Sequence, residues 1–267
     1  MNYGPRPWQH TSWDWRAAAN FILGGAGSGL MIVSALMQDP SRRPVALALL
    51  LVAAGLGMVW LEIGRKLRAI HVFYNPFTSW MTRESFAATL LFAFAAIDLL
   101  FPSRIILGGA ALASLAFLYC QARILRAAKG IPAWRAPQVV ALIATTGLAE
   151  GTGLMMLMKP ELLVISLFAA AVMARGFAWS GYWAALRAAS QQSAGRAALE
   201  TAGKALIQIG TLVPLALVFG WIFQPQAAML AAIAAILTGW RLKYVLVTRA
   251  ALNQGFALPQ LPVRGAR

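Results

Sequence analysis

Eight stretches of about 20 mostly apolar residues follow one another along this chain, and that repetition limits its fold more than any other feature. A hydrocarbon core roughly 30 Å thick needs about 20 helical residues to cross. The stretches run over Ala17–Met37, Pro44–Gly64, Ser85–Phe101, Ile105–Leu125, Pro137–Met158, Leu162–Leu186, Ala205–Phe223 and Ala227–Val247. Breaker clusters separate them: Asp39-Pro40-Ser41, Pro102-Ser103, Gly130-Ile131-Pro132, Lys159-Pro160 and Gln224-Pro225-Gln226. With 60% hydrophobic and 12% charged residues in 267, the chain has too little polar surface to cover a water-soluble core. The expected fold is all-α: a polytopic bundle of eight transmembrane helices forming one membrane domain over 1–267. It has an N-terminal tail (1–16), a polar loop (65–84) and a C-terminal tail (248–267). The start of the chain lacks the short apolar core of a secretory leader, so no cleavable signal is expected. No repeat relates the two halves.

Charge orients the bundle. Of 23 Lys and Arg, 18 fall on the side that holds both tails. Four (Arg42, Arg43, Arg104 and Lys159) fall on the other, and Arg175 lies within the sixth stretch. The positive-inside bias therefore puts both termini on the cytoplasmic side of the membrane. The net charge of +15 belongs to this bias, and nucleic acid is not an expected partner. Trp80, Trp134, Trp179, Trp183 and Trp240 sit where interfacial anchors would.

Ionisable residues inside a membrane are costly and mark candidate sites. Glu62 and Asp98 stand near the ends of their spans. Glu150 and Arg175 lie about 20 Å and about 17 Å from the basic side, counted at 1.5 Å per residue. Being at similar depth on consecutive spans, these two are expected to pair. The pair either fixes helix register or, with Asp98, belongs to a proton path. Gly24-Gly25-Ala26-Gly27-Ser28-Gly29 in the first span offers a small-xxx-small surface at Gly25 and Gly29 for close helix packing. Span five carries a second such run, Gly147 to Gly153.

Metals are constrained by shortage. His10 and His71 lie outside the spans, and Cys120 is the single cysteine. Axial haem ligation within the membrane and zinc or iron–sulfur binding by this chain are not expected. A redox role would rest on a diffusible organic carrier.

The loop from Glu62 to Glu84 is the densest polar segment. It mixes Arg65, Lys66, Arg68, His71 and Arg83 with Phe73, Tyr74, Phe77 and Trp80. Read by composition alone, it is a cytoplasmic loop of snorkelling cations and interfacial aromatics. Its order says more. Gly64, Arg65, Arg68, Ala69, Asn75, Ser79, Trp80, Arg83 and Glu84 resemble the signature loop of the NrfD/DmsC group, the quinone-interacting membrane anchors of molybdopterin oxidoreductases. That loop reads approximately His-Leu-Gly-Lys-Pro-x-Arg-Ala, then Asn, then Ser-Trp-x-Ser-Arg-Glu. The tail Gly4-Pro5-x-Pro7-Trp8-Gln9 and the run Trp60–Arg65 look closest to anchors associated with sulfite or phenylacetyl-CoA oxidation. Where the DmsC branch has His, this chain has Glu62.

The resemblance implies an anchor subunit that exchanges electrons between menaquinone or ubiquinone and an iron–sulfur subunit, itself wired to a molybdenum or tungsten subunit. It puts the quinone head group beside this loop. Glu62 and His71 are then the proton-exchanging candidates. Arg65, Arg68, Tyr74 and Trp80 are the binding candidates, and Lys66 and Arg83 would dock a cytoplasmic partner. Two other readings stay open: a secondary transporter with a midplane polar site, and a passive anchor without quinone chemistry.

Overall fold

The computed structural model describes residues 9–37, 41–63, 66–188, 194–220 and 224–253, and for residues 66–68, 194 and 225 the backbone only. Helices dominate: α1 (Trp15–Met37), α2 (Arg43–Glu62), α3 (Trp80–Leu100), α4 (Arg104–Ala127), α5 (Gln138–Met158), α6 (Leu162–Ala188), α7 (Ala194–Ile207), α8 (Val213–Gly220) and α9 (Pro225–Tyr244). A 3₁₀ segment, Lys66–Tyr74, joins α2 to α3. A π turn over Gln208–Leu212 makes α7 and α8 one rod, and a second over Val245–Arg249 extends α9. No strand occurs among the described residues; the nearest thing is an isolated antiparallel bridge between Gln9 and Leu252.

Seven of these rods are long and apolar enough to cross a membrane. They are α1, α2, α4, α5, α6, the α7–α8 rod and α9 with its π turn. Helix α3 is 21 residues long but carries Arg83 and Glu84 near its start and Asp98 near its end, which lowers its apolar content. The outer surface is apolar as well: Ile105, Phe177 and Phe219 are 86%, 78% and 81% exposed. Fully buried positions include Asp98, Gln121, Glu150, Arg175 and Lys243. This inside-out distribution suits a chain whose solvent is lipid, and the protein is a multi-pass membrane protein.

Both ends of the described chain meet at one end of the bundle. His10 N donates to Ala251 O at 2.9 Å, and the Gln9 amide donates to Thr248 O at 2.8 Å. Trp13 meets Trp134 edge to face at 4.7 Å. Trp134 is fully buried and donates to Leu246 O at 2.9 Å. Trp179 is also buried, so these two expected interfacial anchors are core residues. An indole with a backbone acceptor to satisfy its N–H costs little to bury.

At the other end, Arg42 adopts φ 52°, ψ 1° just ahead of α2. Its guanidinium lies 3.4 Å from the buried Asp98 carboxylate, which also accepts from Ser103 N at 3.0 Å. Asp98 thus ties the α1–α2 turn to the α3–α4 turn.

The interior holds two apolar cores separated by a polar belt. One core includes Leu30, Leu91, Phe117, Met155, Phe168 and Ala235; the other includes Phe21, Leu125, Leu142, Tyr182 and Leu246. Along α1, α4, α6 and α9 the register between them is taken by Gly24 and Gly25, Gln121, Arg175 and Gly239 respectively, and on α5 Glu150 follows Ala149 at the edge of the first core. The glycine runs make this belt possible. A Cβ on Gly29 would overlap the backbone of Gly147, and one on Gly151 would overlap Gly29, so α1 and α5 touch through backbone. Gly25 acts differently, because a Cβ there would overlap the ammonium of Lys243. The first run therefore serves helix packing at Gly29 and side-chain clearance at Gly24 and Gly25.

Candidate functional site

The loop between α2 and α3 is folded onto the start of α3 by local chemistry. Ser79 caps the helix, accepting from Thr82 N at 3.3 Å. The Thr82 hydroxyl donates to Val72 O at 2.5 Å. Arg83 donates to Pro76 O at 2.8 Å and to Phe77 O at 2.6 Å, closing the 75–79 turn. Phe73 packs edge to face on Phe86 at 5.2 Å. The 3₁₀ segment is thereby held beside the bundle end rather than extending away from it.

Between this segment and the bundle lies a cavity of about 770 Å³. Its walls come from Ser12, Trp13, Ala17, Asn20 and Phe21 at the start of the chain, and from Leu56, Val59, Trp60, Glu62 and Ile63 on and after α2. Ala69, Ile70, Val72 and Phe73 of the 3₁₀ segment, Met81, Glu84 and Ser85 of α3, and Ile124 of α4 complete them. The volume falls within the ordinary range of small-molecule sites, which combine mostly apolar walls with a few placed polar groups.

Besides Ser12 and Ser85, those polar groups are Glu62, Glu84 and Asn20. Glu62 is half-buried at the end of α2. Glu84 and Asn20 are 6% and 5% exposed. Behind them the fully buried Gln121 donates to Asn20 O at 3.1 Å. The side-chain amides of Gln121 and Asn20 both face the Glu84 carboxyl. Glu84 Oε1, Asn20 Oδ1 and Gln121 Oε1 have no hydrogen-bond partner within the protein. Of these, Glu84 and Asn20 line the cavity, so their unpaired oxygens are acceptors open to a further donor there.

The sequence candidates divide around this cavity. Glu62 lines it, and so do the loop residues Ala69 to Phe73, apart from His71. His71 is exposed and stacks edge to face on Tyr74, which is itself 69% exposed. Trp80 is half-buried between the guanidinium groups of Arg83 and Arg123, 4.2 and 4.3 Å from its ring centre. Arg65, and the side chains of Lys66 and Arg68, lie outside the described residues. Asp98 is at the opposite end of the bundle, clamped to Arg42.

Glu150 and Arg175 are both fully buried and both border Gly239, but they are not directly bonded. Glu150 instead pairs with Lys243, Oε2 to Nζ 2.5 Å. Arg175 donates to Ala235 O at 2.7 Å and to Gly210 O. Gly210 belongs to the π turn within the α7–α8 rod, where wider winding turns a carbonyl toward the guanidinium. Reading the sequence missed Lys243 because a lysine near a span end looks like a snorkelling anchor. It also missed Glu84, Asn20 and Gln121, whose common signal is a position a few residues inside the basic ends of three spans.

No group of three or more His, Cys, Asp or Glu side chains able to hold a metal ion occurs among the described residues. Compared with protein-family models and with curated proteins, the chain matches none.

Proposed function

We propose that this chain is the membrane anchor of a molybdenum or tungsten oxidoreductase complex, exchanging electrons between the quinone pool and a cytoplasmic iron–sulfur subunit. The observation that carries the reading is the cavity, which has apolar walls and an orphaned Glu84–Asn20–Gln121 cluster and is built in part from the loop that resembles the NrfD/DmsC signature. A quinone supplies two-electron, two-proton redox chemistry when bound. The residues fit such a group. Trp13, Phe21, Trp60 and Phe73 offer flat apolar surface. Glu84 and Asn20 offer hydrogen-bonding atoms at one wall, and Glu62 offers a carboxyl at another. Glu84 and Glu62 are the groups able to hold or release a proton at the cavity. Gln121 orients Glu84 and Asn20.

Topology supports the reading. The two described ends meet at one end of the bundle, which requires an even number of crossings. Seven rods qualify by composition, and α3, at about 31 Å for 21 residues, is the eighth crossing in this proposal. The positive-inside bias then puts the cavity end, both termini and the partner subunits in the cytoplasm. Arg83, Trp80 and Arg123 form a cationic stack at that end, beside the exposed Tyr74 and Phe77. This stack would receive an acidic partner face. Electrons would run toward quinone if the complex oxidises sulfite, phenylacetyl-CoA or a similar substrate.

The test is titration of the full chain in lipid nanodiscs with a hydroxyquinoline N-oxide quinol analogue, read by tryptophan quenching. Saturable binding is expected, weakened about ten- to a hundredfold by Glu84→Gln, as loss of a hydrogen bond to a charged group would do. No saturable binding, or equal affinity after Leu56→Trp fills the cavity, would overturn the site. Isolation of the chain without an iron–sulfur partner from its native membrane would overturn the anchor role.

A further inference from the structure

A second recess, of about 230 Å³, lies between the last turns of α6 and the amphipathic start of the α7–α8 rod. Its walls are Trp179 and Trp183 on α6 and, on the rod, Glu200, Gly203, Lys204, Ile207 and Gln208. The sequence explains the shape. Trp179 and Trp183 stand one helical turn apart and stack, with ring centres 5.5 Å apart and planes 16° apart. Gly203 lets the rod close onto them, because a Cβ there would overlap the Trp179 indole. Arg196, Glu200, Gly203, Lys204 and Ile207 recur at helical spacing, so they share the face of the rod that meets α6.

The two ends of this recess differ in chemistry. At the outer end Lys204 Nζ lies 2.9 Å from Glu200 Oε1, and the Arg196 guanidinium lies 5.7 Å from the Trp183 ring centre. Arg187, one turn beyond Trp183, is also within electrostatic reach of Glu200. Three cations therefore gather around one carboxylate and leave an excess of two positive charges. At the inner end Phe177, Ile209 and Leu212 turn exposed apolar side chains outward from the same two helices. From Arg196 to Ile207 is roughly 17 Å at 1.5 Å per residue. A soluble anion would use only the cationic rim, and an acidic protein segment would have to enter the bilayer to reach the apolar end. A phospholipid matches both ends, with its phosphate at the cations and its chains along the outward apolar side chains.

We propose that this recess holds one anionic phospholipid, its phosphate between Arg196 and Lys204 and its glycerol against the stacked Trp179 and Trp183. The volume is below the roughly 300 Å³ at which sites for drug-sized ligands begin. It has room for a head group whose acyl chains run outside, along the wall of the bundle. The exposed Gln208 amide offers a donor to an ester carbonyl. So held, the lipid ties the amphipathic start of the rod to the end of α6. The recess shares no wall residue with the cavity beside the 3₁₀ segment, and the lipid site stands whether or not that cavity takes a quinone.

Native mass spectrometry of the full chain in micelles, titrated with phosphatidylglycerol or with phosphatidylcholine of the same acyl chains, reads the site. The first phosphatidylglycerol should bind more tightly than phosphatidylcholine. Arg196→Gln combined with Lys204→Gln should weaken it about twenty- to thirtyfold, roughly fivefold for each cation. Arg126→Gln combined with Lys129→Gln removes two exposed cations from the same end of the bundle and should leave it unchanged. Ile207→Trp, which fills the recess without altering charge, should weaken it as well. A first phosphatidylglycerol held no more tightly than phosphatidylcholine would overturn the proposal. Equal loss in the two charge variants would do the same, by assigning the binding to the basic face as a whole. Wild-type affinity in either Arg196→Gln/Lys204→Gln or Ile207→Trp would remove the lipid from the recess. Displacement by excess inorganic phosphate would replace the lipid with a soluble anion.

Discussion

Lys243 Nζ lies 2.5 Å from Glu150 Oε2, and neither side chain has any solvent exposure. Removing one partner leaves an uncompensated charge, a loss of about 3–5 kcal/mol. Glu150→Gln and Lys243→Met should each destabilise the bundle by about that amount, and the double substitution by less than their sum. Reversible denaturation in mixed micelles gives the cycle. Additive effects would mean that the two side chains do not depend on each other.

The α1–α5 crossing is backbone on backbone at Gly29, Gly147 and Gly151. Gly151→Ala should separate the helices and cost at least about 1–3 kcal/mol, the range for overpacking a tight core. Gly57 on α2 has open space beside it, so Gly57→Ala should be neutral or stabilising by about 0.5–1 kcal/mol. Thermal unfolding of the two variants side by side distinguishes packing from a general intolerance of alanine.

Asp98 is buried at the end of the bundle away from the cavity, on Arg42 and Ser103 N. It was expected on a proton path, but this geometry makes it a turn clamp. Asp98→Asn can still accept from Ser103 N while losing the ion pair. It should lower stability and leave the affinity for the quinol analogue and its pH dependence unchanged. A shifted pH profile would return Asp98 to the path.

At the start of α1, Arg16 N and Nε bond the Asp14 carboxylate at 2.7 and 2.9 Å, and these bonds hold its pKa below the ordinary carboxylate value. A lowered folded-state pKa adds stability above the unfolded value and loses it as pH falls through the folded one. Asp14→Asn should therefore narrow the gap in melting temperature between neutral and acidic pH. The effect should be small and fade in high salt, since the pair is solvent-accessible.

Much of this architecture is legible in the chain because lipid imposes simple rules on length, charge and breakers. Helix α5 starts and ends within a residue of the apolar run Pro137–Met158, where Pro137 and Lys159-Pro160 bound it. The α7–α8 rod instead begins at Ala194, 11 residues before the apolar run at Ala205, because an amphipathic turn with Arg196, Glu200 and Lys204 prolongs the helix. Depth was readable for Glu150 and Arg175; partnership was not. Which helix faces which depends on packing that one sequence does not display, so Arg175 turns to a π-turn carbonyl while Lys243 reaches Glu150. The cavity wall was hidden for the same reason. Asn20, Glu84 and Gln121 lie on three helices and converge only in the folded bundle.

The central claim, that a quinone head group occupies the cavity between the 3₁₀ segment and the bundle, is tested most directly by photolabelling. An azidoquinone is cross-linked to the full chain in nanodiscs, and the labelled peptides are mapped by mass spectrometry. The expected label falls on peptides containing Trp13–Phe21, Leu56–Phe73 or Met81–Ser85, and excess unlabelled quinone abolishes it. Competable label confined to α5, α6 or α9, or label that excess quinone does not displace, would contradict the claim.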